Sequence, residues 1–133
     1  MRPIRPSFTD ADYATWRQWL TYDQRPFSDR TDVLTFVTGT LQEPVTISGE
    51  VVATLFASTT GTDSDWVVKL IDVYPGDAPN SGFCEIPMGG FQMQLAGEIM
   101  RGKFRNSFEN PEPMVPGEVT PIHIDLRDRF HTF

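Results

Sequence analysis

A chain of 133 residues matches one compact domain, long enough to bury a core of its own. Eleven Lys and Arg against eighteen Asp and Glu leave a formal charge of -7, which repels phosphate backbones and anionic bilayers and so excludes nucleic acid and membrane surfaces as expected partners. The single cysteine, Cys84, can close no internal disulfide and belongs to no cysteine cluster that would build a four-ligand zinc site, which leaves the compartment open.

Taken in chain order, the first element is a helix. In TDADYATWRQWL, Thr9 or Asp10 offers an N-cap, and Tyr13, Trp16, Trp19 and Leu20 fall on one aromatic stripe. From Val33 the pattern changes to β-branched and aromatic runs broken by turn residues: VLTFVT, VTISGEVVATLFAST, DWVVKLIDVY, FQMQLAGEIMRGKFR and EVTPIHIDL. Five such runs at short spacing predict an all-β, antiparallel sandwich behind one short N-terminal helix. The division is residues 1–32, helix and lead-in, then 33–133, sandwich. In the last run Ile122, Ile124 and Leu126 alternate with His123 and Asp125, so one face is expected inside and the other in water. The fourth run carries Phe91, Met93, Leu95 and Ile99 on one parity, which Arg101, Lys103 and Arg105 continue, and hands the apolar role to Met100 and Phe104. A bulge near Gly97 to Met100 would switch its faces. The stretch from Pro75 to Gly90, rich in Pro, Gly and Asn, predicts a long surface connection.

Catalytic chemistry is hard to find. No serine sits in the G-x-S-x-G setting of a nucleophile elbow, and His123 and His131 read as solvated strand and terminal residues. No catalytic residue and no cofactor is expected. Asp63 and Asp65 form a D-x-D pair before the third run, and with Asp72 they are the sharpest candidates for calcium. The glycine and closing glutamate of an EF-hand loop are missing, however, so the expectation is a structural corner and no metal. In that corner Asp63 and Asp65 bond turn amides while Lys69 or a nearby arginine balances their charge.

The segments running from DQRPFSDRTDVLTF to DSDWVVKLIDVYPGD, and then GEIMRGKFRNSFENPEPMVPGEVTPIHIDL, within a likeness that runs from about Ile4 to the last residue, resemble the C-terminal domain of one hydrolase family. That family contains α-amino acid ester hydrolases, glutaryl-7-aminocephalosporanic acid acylases, cocaine esterase and X-Pro dipeptidyl-peptidases. The tryptophan after D-S-D and the long insertion from Pro75 to Gly90 favour the amino acid ester hydrolase branch. The resemblance implies a jelly-roll β-sandwich of the galactose-binding type, packed on an α/β-hydrolase domain that lies upstream and carries the Ser-His-Asp triad. It further implies that the jelly roll is incomplete at its C-terminus, because the family continues past the position of His131-Thr132-Phe133 with further strands.

On this reading the domain supports the catalytic partner and the rim of its pocket, with Trp16 and Trp19 as candidate rim residues. The run Asp65 to Tyr74 is expected to be buried on both faces, Trp66, Val68 and Leu70 on one and Val67, Ile71 and Val73 on the other. An edge left open by missing strands predicts a homo-oligomer. The alternative is a carbohydrate-binding or protein-interaction jelly roll, in which Tyr74, Trp66 or the Trp16 and Trp19 pair would form an exposed stacking platform.

Overall fold

Four strands carry the fold among the residues described by a computed structural model, which are 22–28, 30–82 and 86–133. They are β1 Thr46–Ala57, β2 Asp65–Val73, β3 Gln92–Arg101 and β4 Thr120–Thr132. A one-turn helix, α1 Arg25–Ser28, precedes them, and a 3-10 turn, Gly102–Phe104, follows β3. The predicted helix bearing Trp16 and Trp19 lies outside the described residues, as does Cys84. The protein is thus all-β with antiparallel pairing. The order is nested: β1 pairs with β4, and β2 with β3. Nested pairing of this kind is what a long hairpin produces when it is rolled into a jelly roll.

The described residues fall into two compact units, one within Met1–Thr40 and Ile71–Leu95, the other within Leu41–Leu70 and Ala96–Phe133. The second unit holds the hydrophobic core. Ile122, Ile124 and Leu126 of β4 point inward, as their alternation predicts, and pack with Ala96 of β3 and the loop residue Met114. Val51, Ala53 and Leu55 of β1, and Trp66, Val68 and Leu70 of β2, close around them. Burying each such aliphatic side chain contributes about 1.5–3 kcal/mol. Register explains the arrangement, since Ile122 lies opposite Leu55 and Ile124 opposite Ala53.

β4 extends to Thr132, six residues beyond the predicted run. Its faces switch on the way. Asp125 lies opposite Val52 and Asp128 opposite Glu50, so Leu126 and Arg127 together face Val51 alone. This is a β-bulge. Arg127 takes the extra turn with φ 69°, and its amide donates to Asp125 Oδ1 at 2.7 Å. After the bulge the partly buried residues are Arg129 and His131, of opposite parity to Leu126.

β3 also holds an extra residue. The Tyr74 amide donates to the Phe91 carbonyl and the Gly102 amide to the Ser64 carbonyl. Ten steps along β2 are therefore matched by eleven along β3. The predicted switch of faces is present but comes earlier than Gly97, because Ala96 and Met100 already share the inward parity while Ile99 faces out.

Two expectations fail among the described residues. The run Val33 to Thr38 joins neither of their sheets, and β2 is covered on one face only, with Val67 and Val73 more than half exposed. β-Propensity supplies no partner by itself, and Val67 is left 57% exposed.

In the first unit, Asp23 organises the start of α1. Its Oδ1 accepts the amides of Arg25 and Gln92 at 3.0 and 3.2 Å, and its Oδ2 accepts Arg25 Nε at 2.5 Å. Partial burial opposes ionisation of this carboxyl, but the bonds from Arg25 and Gln92 together hold it below the ordinary value of 3.8. Arg25 also donates to the Gly89 carbonyl at 3.1 Å, which anchors the long loop.

Candidate functional site

The D-x-D pair stands where the chain turns into β2, and the chemistry around it is assembled from a distant segment. Gly102 bonds back to Ser64, Met114 to Thr62 and Gly117 to Thr59, each N–H donating to a carbonyl at 2.8 Å. These three bonds run residues 102–117 alongside residues 59–64. The cations after β3 arrive beside the acids as a result.

Asp65 is held by Arg101, with Nε donating to Oδ1 at 2.7 Å and Nη2 to Oδ2 at 3.0 Å. Two parallel bonds between a planar guanidinium and a planar carboxylate give the pair its fixed geometry. Chiefly through that hydrogen bonding, the Asp65 carboxyl lies below its ordinary value. Asp63 serves the backbone. Its Oδ1 accepts the amides of Ser64 and Lys103, both at 3.0 Å, while Lys103 Nζ stands 3.7 Å from Oδ2.

Beyond them Arg105 donates to the carbonyls of Gly102 and Glu112 at 3.0 and 2.7 Å, and Asn106 donates to the Glu112 carboxylate at 2.7 Å. Lys103 lies over the Phe104 ring, which stacks on Phe108. The corner is an open hollow lined by Asp63, Ser64, Asp65 and Arg101.

Of the three residues assigned to this corner from sequence, Asp63 and Asp65 are brought together, and the cations that answer them are Lys103 and Arg101. Lys69 stands further along β2. The missed partners left a signal: Arg101, Lys103 and Arg105 repeat every second residue from the end of β3, as Asp63 and Asp65 do into the start of β2. Antiparallel pairing sets two such runs side by side.

Both carboxylates are engaged by N–H donors, so the arrangement orders a turn and leaves few lone pairs for a cation. No group of three or more His, Cys, Asp or Glu among the described residues could hold a metal. His123, on the outer face of β4, lies 3.1 Å from the Thr54 hydroxyl, and His131 packs edge-on against Phe133. Trp16 and Trp19 lie outside the described residues. The aromatics considered for a sugar platform are otherwise engaged: Trp66 packs against the core and Tyr74 stands edge-on to Phe91.

Comparison with known proteins agrees with this inventory. Residues 7–133 match the family described as X-Pro dipeptidyl-peptidase C-terminal non-catalytic domain. Cocaine esterase of Rhodococcus sp. (strain MB1 Bresler) is 36% identical over 104 residues, which are 78% of this chain and 16% of that protein. Among solved structures, an aminopeptidase from the marine sediment archaeon Thaumarchaeota archaeon superposes with a TM-score of 0.83 at 44% identity, covering 99% of this chain and 21% of that one. A selenomethionine-labelled α-amino acid ester hydrolase superposes with a TM-score of 0.82 at 43% identity, covering 98% of this chain and 20% of that one. The chain spans about a fifth of the length of these relatives. The matches do not favour the carbohydrate-binding alternative.

Proposed function

Because this chain belongs to the family of X-Pro dipeptidyl-peptidase C-terminal non-catalytic domains, we propose that it works as the supporting β-sandwich of a serine hydrolase. The partner is an α/β-hydrolase domain acting on α-amino acid esters, β-lactam acyl groups or X-Pro peptides. The observation that carries the proposal is the bare outer face of the β2–β3 ribbon. With Ser64 opposite Gly102, the register sets Val67 opposite Ile99, and these two apolar side chains are 57% and 64% exposed. The Asp65–Arg101 pair borders them on the same face. An apolar centre with a charged rim is the composition of a protein interface. Trp16 and Trp19 belong to the rim of the partner's pocket on this reading, and Asp63, Asp65 and their cations form a scaffold corner that keeps the face rigid.

The test supplies the chain to an α-amino acid ester hydrolase deprived of its own C-terminal portion. Alone, the chain should turn over no α-amino ester. Added to the truncated enzyme, it should raise the melting temperature and restore hydrolysis, and Val67→Lys with Ile99→Lys should abolish the rescue. Rescue that survives both changes would place the contact elsewhere.

A further inference from the structure

Among the described residues, Arg25, Arg30, Arg101, Lys103, Arg105 and Arg127 each pair with a carboxylate, and Lys69 has a contact of its own. Arg129 pairs with no carboxylate there, in a chain that holds eighteen Asp and Glu against eleven Lys and Arg. Its Nη1 donates to the neighbouring Asp128 carbonyl at 2.9 Å, and its Nε is shut off from water with no acceptor. Buried N–H groups in proteins are almost always paired, so an orphan calls for a partner.

The strand pairing explains the vacancy. Glu50 and Asp128 lie opposite each other and are exposed, while Arg129 takes the next position, on the partly buried side of β4. Successive residues of a strand point to opposite faces, so the two nearest acids turn away from it. Opposite Arg129 stands Gly49, which adds no side chain, and a methyl group built there would meet no atom within 4 Å. Open space therefore lies beside a guanidinium that is only partly buried, and a small acid has a way in.

Charge and shape select the ligand. Arg101 shows what the Nε and Nη2 edge of an arginine takes, since it holds both oxygens of Asp65. In Arg129 the same edge is unused. The fork matches a planar carboxylate, and one positive charge balances one negative charge. A sulfate or phosphate dianion would find no second unpaired arginine beside it and would meet the -7 of the chain. We propose that Arg129, across from Gly49, is a binding site for a single carboxylate, held side-on through Nε and Nη2. The carboxylate arrives on an acidic side chain of the hydrolase domain or on a small free acid. The site is independent of the catalytic-partner reading, because it uses neither Val67 nor Ile99.

Sodium acetate added to the isotope-labelled chain at constant ionic strength, with sodium chloride as control, tests the site by nuclear magnetic resonance. The Arg129 Nε–H resonance should move downfield along a saturating curve with its midpoint below about 100 mM, weak as partly exposed pairs are. The Arg101 Nε–H, already held by Asp65, should stay in place. Arg129→Gln should lose the response and Arg127→Gln should keep it, with circular dichroism to verify that both are folded. A second experiment separates the two sources. If the hydrolase domain supplies the carboxylate, Arg129→Gln should fail to rescue the truncated enzyme; if it rescues as well as the unaltered chain, a free acid is the ligand. Should the unaltered chain rescue nothing, the catalytic-partner reading fails and the acetate response by itself decides the site. The proposal is overturned by an Arg129 resonance that moves no further than that of Arg101, that moves without saturating, that answers chloride as it answers acetate, or that moves further with sulfate.

Discussion

Arg101 grips Asp65 across the β2–β3 ribbon through two parallel bonds, Nε to Oδ1 at 2.7 Å and Nη2 to Oδ2 at 3.0 Å, with both side chains about half exposed. Exposure limits what the pair contributes to stability, and salt screens it further. Its value is positional, because it fixes where β2 begins relative to the end of β3.

The pair should be visible in the pH dependence of folding. Asp65 has a folded value below its ordinary 3.8, chiefly through the bond from Arg101. A depressed carboxyl stabilises the fold fully above its unfolded value and loses that stabilisation as pH falls through the folded one. Arg101→Ala should therefore melt slightly below the parent protein at pH 7, and the two melting curves should converge below pH 3.8. Curves that stay parallel down to pH 2 would show that the bond does not hold the carboxylate.

Calcium should not bind at this corner. Asp63 and Asp65 already accept from two amides, a guanidinium and an ammonium, and displacing those donors offsets what a cation gains. Calorimetric titration with calcium chloride is expected to show only heats of dilution. A tight site lost in Asp65→Ala would contradict the structural role.

Gly102 is a test of packing. A methyl group built there would run into the side chain of Met114, which is fully buried, and would press on the Ser64 carbonyl at 3.4 Å. Gly102→Ala should cost about 1–3 kcal/mol in urea unfolding, as overpacked cores do. The change should be milder in a Met114→Ala background, where the methyl finds room, with a coupling of about 0.5–3 kcal/mol.

Ile124 and Ile99 should separate core from surface. Ile124→Ala empties a fully buried site and should cost about 2–5 kcal/mol. Ile99→Ala, on the bare face, should change stability by roughly 0.5 kcal/mol or less in the isolated chain. A large cost at Ile99 would mean that this face is covered in solution.

Asp23 is the corresponding residue in the first unit. Asp23→Ala removes the acceptor for the amides of Arg25 and Gln92 and for the Arg25 guanidinium, and should cost about 1–3 kcal/mol. Hydrogen exchange at the Gln92 amide should accelerate in step. Asp23→Asn retains one acceptor oxygen and should lose less.

What the sequence determined by itself is what depends on near neighbours along the chain. Alternation placed Ile122, Ile124 and Leu126 inside and His123 outside, because successive residues of a strand must point to opposite faces. Missing spacing around every serine excluded a nucleophile elbow, and the D-x-D pair announced a turn into β2. The motifs from Asp23 to Leu126 also carried the family resemblance. Tertiary structure decided what depends on residues far apart. That Asp65 meets Arg101 and Asp63 meets Lys103, across 36 and 40 positions, follows from a register that no local pattern encodes. The bulge at Arg127 puts a residue other than glycine at positive φ, a conformation that local propensity argues against and that the pairing with β1 imposes. Val33 to Thr38 has the composition of a strand and joins neither sheet among the described residues, since composition sets how well a segment fits a sheet while only a neighbouring edge makes it part of one.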